Sequence, residues 1–126
     1  MYAERAWASL DSVSINTHPD DPYAHKMERL RYAVVSSPGS LAPNIRRAIS
    51  EGTYLVRPLG TFAQKVAEHA FRVNDDDIRE LHRAQYSDDQ IFEAAVSAAL
   101  GAGLYRLEQV RRVLPKNQPT NQYRSR

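Results

Sequence analysis

The sequence contains no cysteine, which excludes disulfides, thiolate metal sites and redox thiols. It also has no apolar run close to the roughly 18 residues that a helix needs to cross a bilayer. The longest such run, residues 94–104, is mostly alanine and glycine and is interrupted by Ser97. The first residues include Glu4 and lead into no apolar signal core, so we expect a cytoplasmic location. Neither a glycine-rich phosphate loop nor a Gly-x-Ser-x-Gly nucleophile elbow occurs.

The overall composition is that of an ordinary globular domain, since 42% of the 126 residues are hydrophobic and 25% are charged. This length predicts one domain with its own core. The isoelectric point near 9.0 is compatible with nucleic-acid binding. However, the basic residues are scattered along predicted helices rather than grouped with aromatic residues, so we do not expect a nucleic-acid partner. The histidines lack a second ligand at helical spacing, and the sequence predicts neither a metal nor a cofactor.

The spacing of apolar residues predicts an all-α fold, a bundle of about five to six helices in a single domain over residues 1–115. The predicted helices cover residues 2–13, 23–35, 43–50, 58–73, 75–84 and 87–114. Only residues 54–56 have a strand-like pattern. Residues 116–126 form a polar, basic tail, which is a candidate for binding an acidic surface of another protein.

Two of these helices begin with recognisable capping residues. Asn74 or Asp75 is predicted to cap one helix, and the acids at 75–77 lie where free amides and the helix dipole favour negative charge. Ser87 and Gln90 have the spacing of a capping box at the start of the last helix. These signals predict that the aspartates serve helix initiation.

The last predicted helix is apolar on two stripes, which favours a central position in the bundle. The stripes are Ile91, Ala95, Ala98 and Ala102, and Phe92, Ala99, Gly103 and Leu107. Near its start, Glu93 is expected to pair with Arg83 or Arg106, or to face solvent.

Small residues are concentrated in the middle of this helix. Glycine costs a helix about 1 kcal/mol relative to alanine, so a glycine inside one indicates that another backbone approaches closely. That backbone belongs either to the same chain or to a second subunit, and for a chain this short we favour a homo-oligomer. The residues predicted to pack in the oligomer are Ala95, Ala98, Ala99, Gly101, Ala102 and Gly103.

An ordered series of elements occupies residues 59–114. A helix leads through a tight junction into a short helix that contains residues 81–84, then a capped turn, then Ile91-Phe-Glu-Ala94 and the small-residue-rich helix at 98–104. This series resembles the alkylhydroperoxidase-D-like and carboxymuconolactone-decarboxylase-like superfamily over a little under half of the chain. The resemblance implies an alkylhydroperoxidase-D-like orthogonal helical bundle.

The redox members of that superfamily have a Cys-x2-Cys-x3-His motif just before the short helix. By the resemblance, its three places fall on Ala70, Val73 and Asp77, none of which matches. An acidic proton-relay residue expected upstream falls near Pro58. The resemblance therefore implies the scaffold, with the redox positions vestigial. The absence of cysteine excludes thiol peroxidase and disulfide reductase activity.

The remaining candidates for catalysis are histidines near this junction. His69 and His82 have side chains suited to acid–base chemistry near neutral pH. Arg72 or Arg79 is the matching candidate for binding a substrate carboxylate. In the decarboxylase-like branch, such residues would act on a small lactone or keto acid. This activity requires a closed apolar pocket in which His69 meets an arginine.

Three functions are therefore considered. We favour a non-redox, oligomeric binding or structural protein. The first alternative is a thiol-independent decarboxylase-like enzyme that uses His69 or His82, and the second is an accessory subunit of a larger complex that docks through its C-terminal tail.

Overall fold

The computed structural model describes residues 23–114, and this part of the chain is all-helical, with no strand. Its helices are α1 (Ala24–Val35), α2 (Pro43–Ser50), α3 (Leu59–His69), α4 (Asp75–Arg83) and α5 (Asp88–Val113). The all-α prediction is confirmed, and the strand-like pattern at 54–56 was misleading. The helix predicted at 2–13 and the tail at 116–126 lie outside the described residues.

The predicted helix starts at the α3–α4 and α4–α5 junctions are confirmed. The Asn74 side chain accepts a hydrogen bond from the backbone N–H of Asp77, and the Asp77 carboxylate accepts one from the backbone N–H of Asn74. Ser87 and Gln90 make the same reciprocal pair at the start of α5. Each box satisfies two amides that would otherwise lack an intrahelical acceptor.

One predicted helix ends early. We expected the third helix of the described region to continue to Val73, but α3 ends at His69, where the backbone leaves helical geometry at φ −147° and ψ 57°. A single 3-10 turn, Ala70–Arg72, follows. The chain must redirect within these few residues, because Asn74 already caps α4 in an extended conformation.

The long helix α5 is the centre of the bundle, as predicted, and packs against each of the other four α-helices. Of the first predicted stripe, Ile91, Ala98 and Ala102 are buried, and Ala95 is half-buried and packs against the core. Ala94, which is not part of that stripe, is fully buried. Leu59 of α3 and Leu81 of α4 are fully buried in the same core. Within residues 23–114, none of the helices is both long enough and apolar enough to cross a membrane.

The connection between α1 and α2 is held by a buried arginine and a carboxylate from α5. Arg46 donates through Nε to the Leu41 carbonyl at 3.0 Å, through Nη1 to the Val34 carbonyl at 2.8 Å, and through Nη2 to the Ser37 carbonyl. Glu93 accepts hydrogen bonds from the amides of Ser40 and Leu41 at 2.9 and 2.8 Å.

Glu93 therefore has a different partner from those expected. Its Oε1 lies 4.0 Å from Nε of Arg46, so the prediction of Arg83 or Arg106 was wrong. Partial burial raises the pKa of Glu93, but the two amides and the charge of Arg46 outweigh that effect and hold the pKa below its ordinary value. In the sequence, Glu93 is a carboxylate within an apolar helix start, which indicates that it needs a partner. No residue near it in the sequence identifies that partner as Arg46 on α2.

Candidate functional site

The α3–α4 junction, where the sequence placed its candidate site, is held by an ion pair. Lys65 on α3 donates to both carboxylate oxygens of Asp77 on α4, at 2.9 and 3.0 Å. Burial raises the pKa of Asp77, but the hydrogen bond from Lys65, the amide of Asn74 and the charge of Lys65 together lower it. Asp77 thus caps α4 and ties it to α3.

A cleft of about 260 Å³ opens beside this ion pair. Its lining residues are Arg57, Pro58, Thr61, Phe62, Lys65, Asp77 and Glu80. Lys65 is neutralised by Asp77, which leaves Arg57 and Glu80 as charges of opposite sign at its walls. None of the four residues predicted for catalysis or substrate binding lines this cleft.

His69 is the last residue of α3, Arg72 ends the 3-10 turn that follows it, and both are exposed. Each packs against Phe71, itself 81% exposed: the His69 ring meets the Phe71 ring edge-on at 6.0 Å, and the Arg72 guanidinium lies 5.7 Å from the ring centre. Within residues 23–114, the closed apolar pocket that the decarboxylase-like alternative requires is therefore not formed around these two residues.

His82 and Arg79 are also exposed, and each contacts an acid near a helix start. Nε2 of His82 lies 2.6 Å from Oδ1 of Asp88, which is in the first turn of α5. Arg79 pairs with Asp76, three residues before it on α4. These contacts belong to the α4–α5 surface and do not join either residue to His69.

The three positions aligned with the redox motif have ordinary structural roles. Ala70 is exposed in the 3-10 turn, Val73 packs against the core, and Asp77 caps α4. The prediction that the aspartates serve helix initiation is confirmed for Asp75, Asp76 and Asp77, since all three lie in the first turn of α4.

Most of the small residues predicted to pack in an oligomer are instead packed inside this chain. Ala98 and Ala102 are buried in the core, and Ala95 packs against it. A Cβ on Gly101 would lie 1.9 Å from the Ser50 carbonyl oxygen, so this glycine permits the close approach of α2 to α5. These four residues meet neighbours of their own chain, and a Gly101→Leu substitution would test the fold rather than an assembly.

Ala99 and Gly103, by contrast, belong to an exposed apolar face of α5. Around them the side chains of Phe92, Leu107 and Val110 are 67%, 37% and 52% exposed. Ala99 is exposed, and a Cβ on Gly103 would meet nothing within 4 Å. We call these five residues the outer face of α5. The second predicted stripe is therefore real, but no described element of the chain covers it.

Charged residues lie at the start of the outer face and beside its middle. The first turn of α5 contains Asp88 and Asp89. Arg106 is exposed beside Leu107 and donates to the Ala67 carbonyl at the end of α3, at 3.0 Å. Arg111 and Arg112 follow Val110 by one and two residues, which turns them about 100° and about 200° around α5 and away from the outer face.

Comparison with known proteins adds no relative to this picture: no family model, no curated protein and no solved structure matches the chain.

Proposed function

We propose that this chain is a non-redox, oligomeric binding or structural protein whose copies associate through the outer face of α5. The observation that supports this proposal is that Phe92, Leu107 and Val110 are exposed together on one side of a helix that is packed on its other sides. Contiguous exposed apolar side chains bounded by polar ones mark interaction surfaces, because isolated chains gain by removing them from water.

A second copy of the chain is the partner that fits this face. In a two-fold dimer each partner contributes the same patch, so the patch must be complementary to itself. The apolar side chains of the outer face meet that condition, because Phe92 and Val110 lie on one line along α5 with the small residues Ala99 and Gly103 between them. The alkylhydroperoxidase-D-like scaffold remains part of the proposal, supported by the capped turn before α5 and the small residues within it.

Light scattering coupled to size exclusion tests the association. The full chain at micromolar concentration is expected to elute with at least twice its monomer mass of 14.3 kDa. Phe92→Glu places a charge in the apolar strip of both partners, and we expect it to raise the dimer Kd by at least about a hundredfold. Val110→Glu is expected to act in the same direction.

The matched control is Tyr32→Glu, which makes a similar change at a 62% exposed aromatic residue on α1. It should leave the mass unchanged. A wild-type chain that is monomeric at about 100 μM, or equal effects of the α5 and α1 substitutions, would contradict the proposal.

The decarboxylase-like alternative gains no support from the positions of its residues, since His69 and Arg72 are exposed and separate from the cleft. The accessory-subunit alternative depends on residues 116–126, which are outside the described residues.

A further inference from the structure

The cleft at the α3–α4 junction contains two charged side chains that the described fold does not use. We propose that this cleft binds a small zwitterion, whose carboxylate meets Arg57, whose ammonium group meets Glu80, and whose apolar part lies against Pro58 and Phe62. The site is separate from the outer face of α5, so this inference goes beyond the proposed function and does not depend on the association of copies.

The cleft lies between facing sides of two helices. Its lining residues at 58, 61, 62 and 65 recur at intervals of three and four, which places them on one side of α3. Asp77 and Glu80 are three residues apart and share one side of α4. The ion pair between Lys65 and Asp77, at 2.9 Å, holds these two sides together. Arg57 reaches the cleft from the connection that precedes α3.

Arg57 and Glu80 are the charges that the cleft offers to a ligand. Lys65 and Asp77 neutralise each other, and Asp77 also accepts a hydrogen bond from the backbone N–H of Asn74. By contrast, no residue in the described range 23–114 forms an ion pair or a side-chain hydrogen bond with Arg57 or Glu80.

The chemistry of these two groups selects a ligand with both signs of charge. A guanidinium presents paired N–H donors that match a carboxylate, and a carboxylate such as that of Glu80 accepts hydrogen bonds from an ammonium group. A zwitterion therefore gains a charge-assisted hydrogen bond at each wall of the cleft. A ligand with a single charge gains only one of them and leaves the other wall with water.

The remaining lining residues limit the size and polarity of the ligand. Water occupies about 30 Å³ per molecule, so the 260 Å³ of the cleft is the space of about nine waters. Pro58 and Phe62 supply apolar surface. Thr61 adds a hydroxyl that has no hydrogen-bond partner among the described residues. These properties match a small amino acid with an apolar side chain or an apolar methylene chain.

NMR titration of the full chain tests the site with two zwitterions as probes, L-leucine and 5-aminopentanoate, which differ in the distance between their charges. We expect at least one of them to bind with a Kd of about 1 mM, because the ligand is small and the cleft is open to solvent. The backbone N–H signals that shift in a saturable manner should be confined to residues 57–65 and 76–80.

Analogues with a single charge test whether both walls take part. For leucine they are 4-methylpentanoate, which lacks the ammonium group, and 3-methylbutylamine, which lacks the carboxylate. For 5-aminopentanoate they are pentanoate and butylamine. Each analogue is expected to bind at least about tenfold more weakly than the zwitterion from which it derives.

Substitutions assign each charge of the ligand to its wall. Arg57→Gln should weaken binding of the zwitterion at least about tenfold and leave binding of the amine unchanged. Glu80→Gln should weaken the zwitterion equally and leave binding of the acid unchanged. Arg29→Gln and Glu28→Gln make the same chemical changes at exposed positions on α1, and both should retain the wild-type Kd.

Three results would overturn this inference. They are the absence of saturable shifts at the cleft with either zwitterion up to about 20 mM, equal binding of the zwitterions and their single-charge analogues, and equal effects of the cleft and α1 substitutions. None of these results bears on the association through α5. Conversely, a wild-type chain that is monomeric and binds a zwitterion in the cleft would overturn the proposed association and support this site.

Discussion

Gly101 and Gly103 lie two residues apart on α5 and meet opposite surroundings. Gly101 faces α2, where the Ser50 carbonyl oxygen occupies the space of a side chain. Gly103 belongs to the outer face, where the same space is open. In the sequence the two are equivalent, because both interrupt a helix at positions with small neighbours. The packing of α2 makes only one of them necessary for the fold.

The same substitution at the two positions should therefore have effects of opposite sign. In the Phe92→Glu background, which isolates the fold from association, we expect Gly101→Ala to lower the free energy of unfolding by about 3 kcal/mol or more. Gly103→Ala should raise it by about 1 kcal/mol, because alanine is the better helix former. Urea denaturation followed by circular dichroism measures both, and a stable Gly101→Ala chain would show that α2 does not pack as described.

At the scale of elements, α4 and α5 each begin with a reciprocal capping box, Asn74–Asp77 and Ser87–Gln90. The partners of each box are three positions apart in the sequence, so the pattern can be recognised there, and both helix starts were predicted correctly. The early end of α3 was not predicted, because Ala70, Phe71 and Arg72 are compatible with a helix. Their conformation depends on the turn that brings Asn74 into position.

A serine-to-alanine change at the N-cap of α5 and another within the helix distinguish the effect of capping from that of burial. Ser87→Ala removes the hydroxyl that accepts a hydrogen bond from the backbone N–H of Gln90, and should lower the free energy of unfolding by about 1 kcal/mol. Ser97→Ala removes a buried hydroxyl that has no hydrogen-bond partner among the described residues, and should be neutral or slightly stabilising. Thermal denaturation of the pair gives the comparison, and an equal loss at both positions would contradict the capping assignment.

At the scale of the whole molecule, two carboxylates join elements that are distant in sequence. Glu93 of α5 holds the α1–α2 connection, and Asp77 of α4 pairs with Lys65 of α3. Both have a lowered pKa, from ordinary values of 4.5 and 3.8 respectively. In acid, the unfolded chain therefore takes up protons before the folded chain does, so stability falls as the pH falls.

We expect the contribution of these two carboxylates to the free energy of unfolding to be complete above about pH 5 and to decrease progressively below about pH 4.5, as both become protonated. Glu93→Gln should cost about 1 to 3 kcal/mol at pH 7 and flatten the decrease in acid. Urea midpoints between about pH 7 and pH 2.5 measure this. Glu28→Gln, at an exposed position on α1, removes the same charge without contacting the loop and should retain the steeper acid dependence.

The sequence by itself determined the features that depend on near neighbours. Apolar spacing and capping residues placed the described helices, because helical hydrogen bonds and caps join residues three or four apart. The absence of cysteine excludes thiol chemistry however the chain folds, because no packing can supply a thiol that the sequence lacks.

The tertiary structure decided what each helix surface meets. Arg46 and Glu93 come together across 47 residues of sequence, and His69 and Arg72 remain exposed where a site was conceivable. Likewise, the sequence showed two apolar stripes on α5, but only the packing of the other helices determined that one is buried and the other is the exposed outer face. Burial depends on where distant segments pack, and the local pattern that records a stripe is the same whether a neighbour covers it or not.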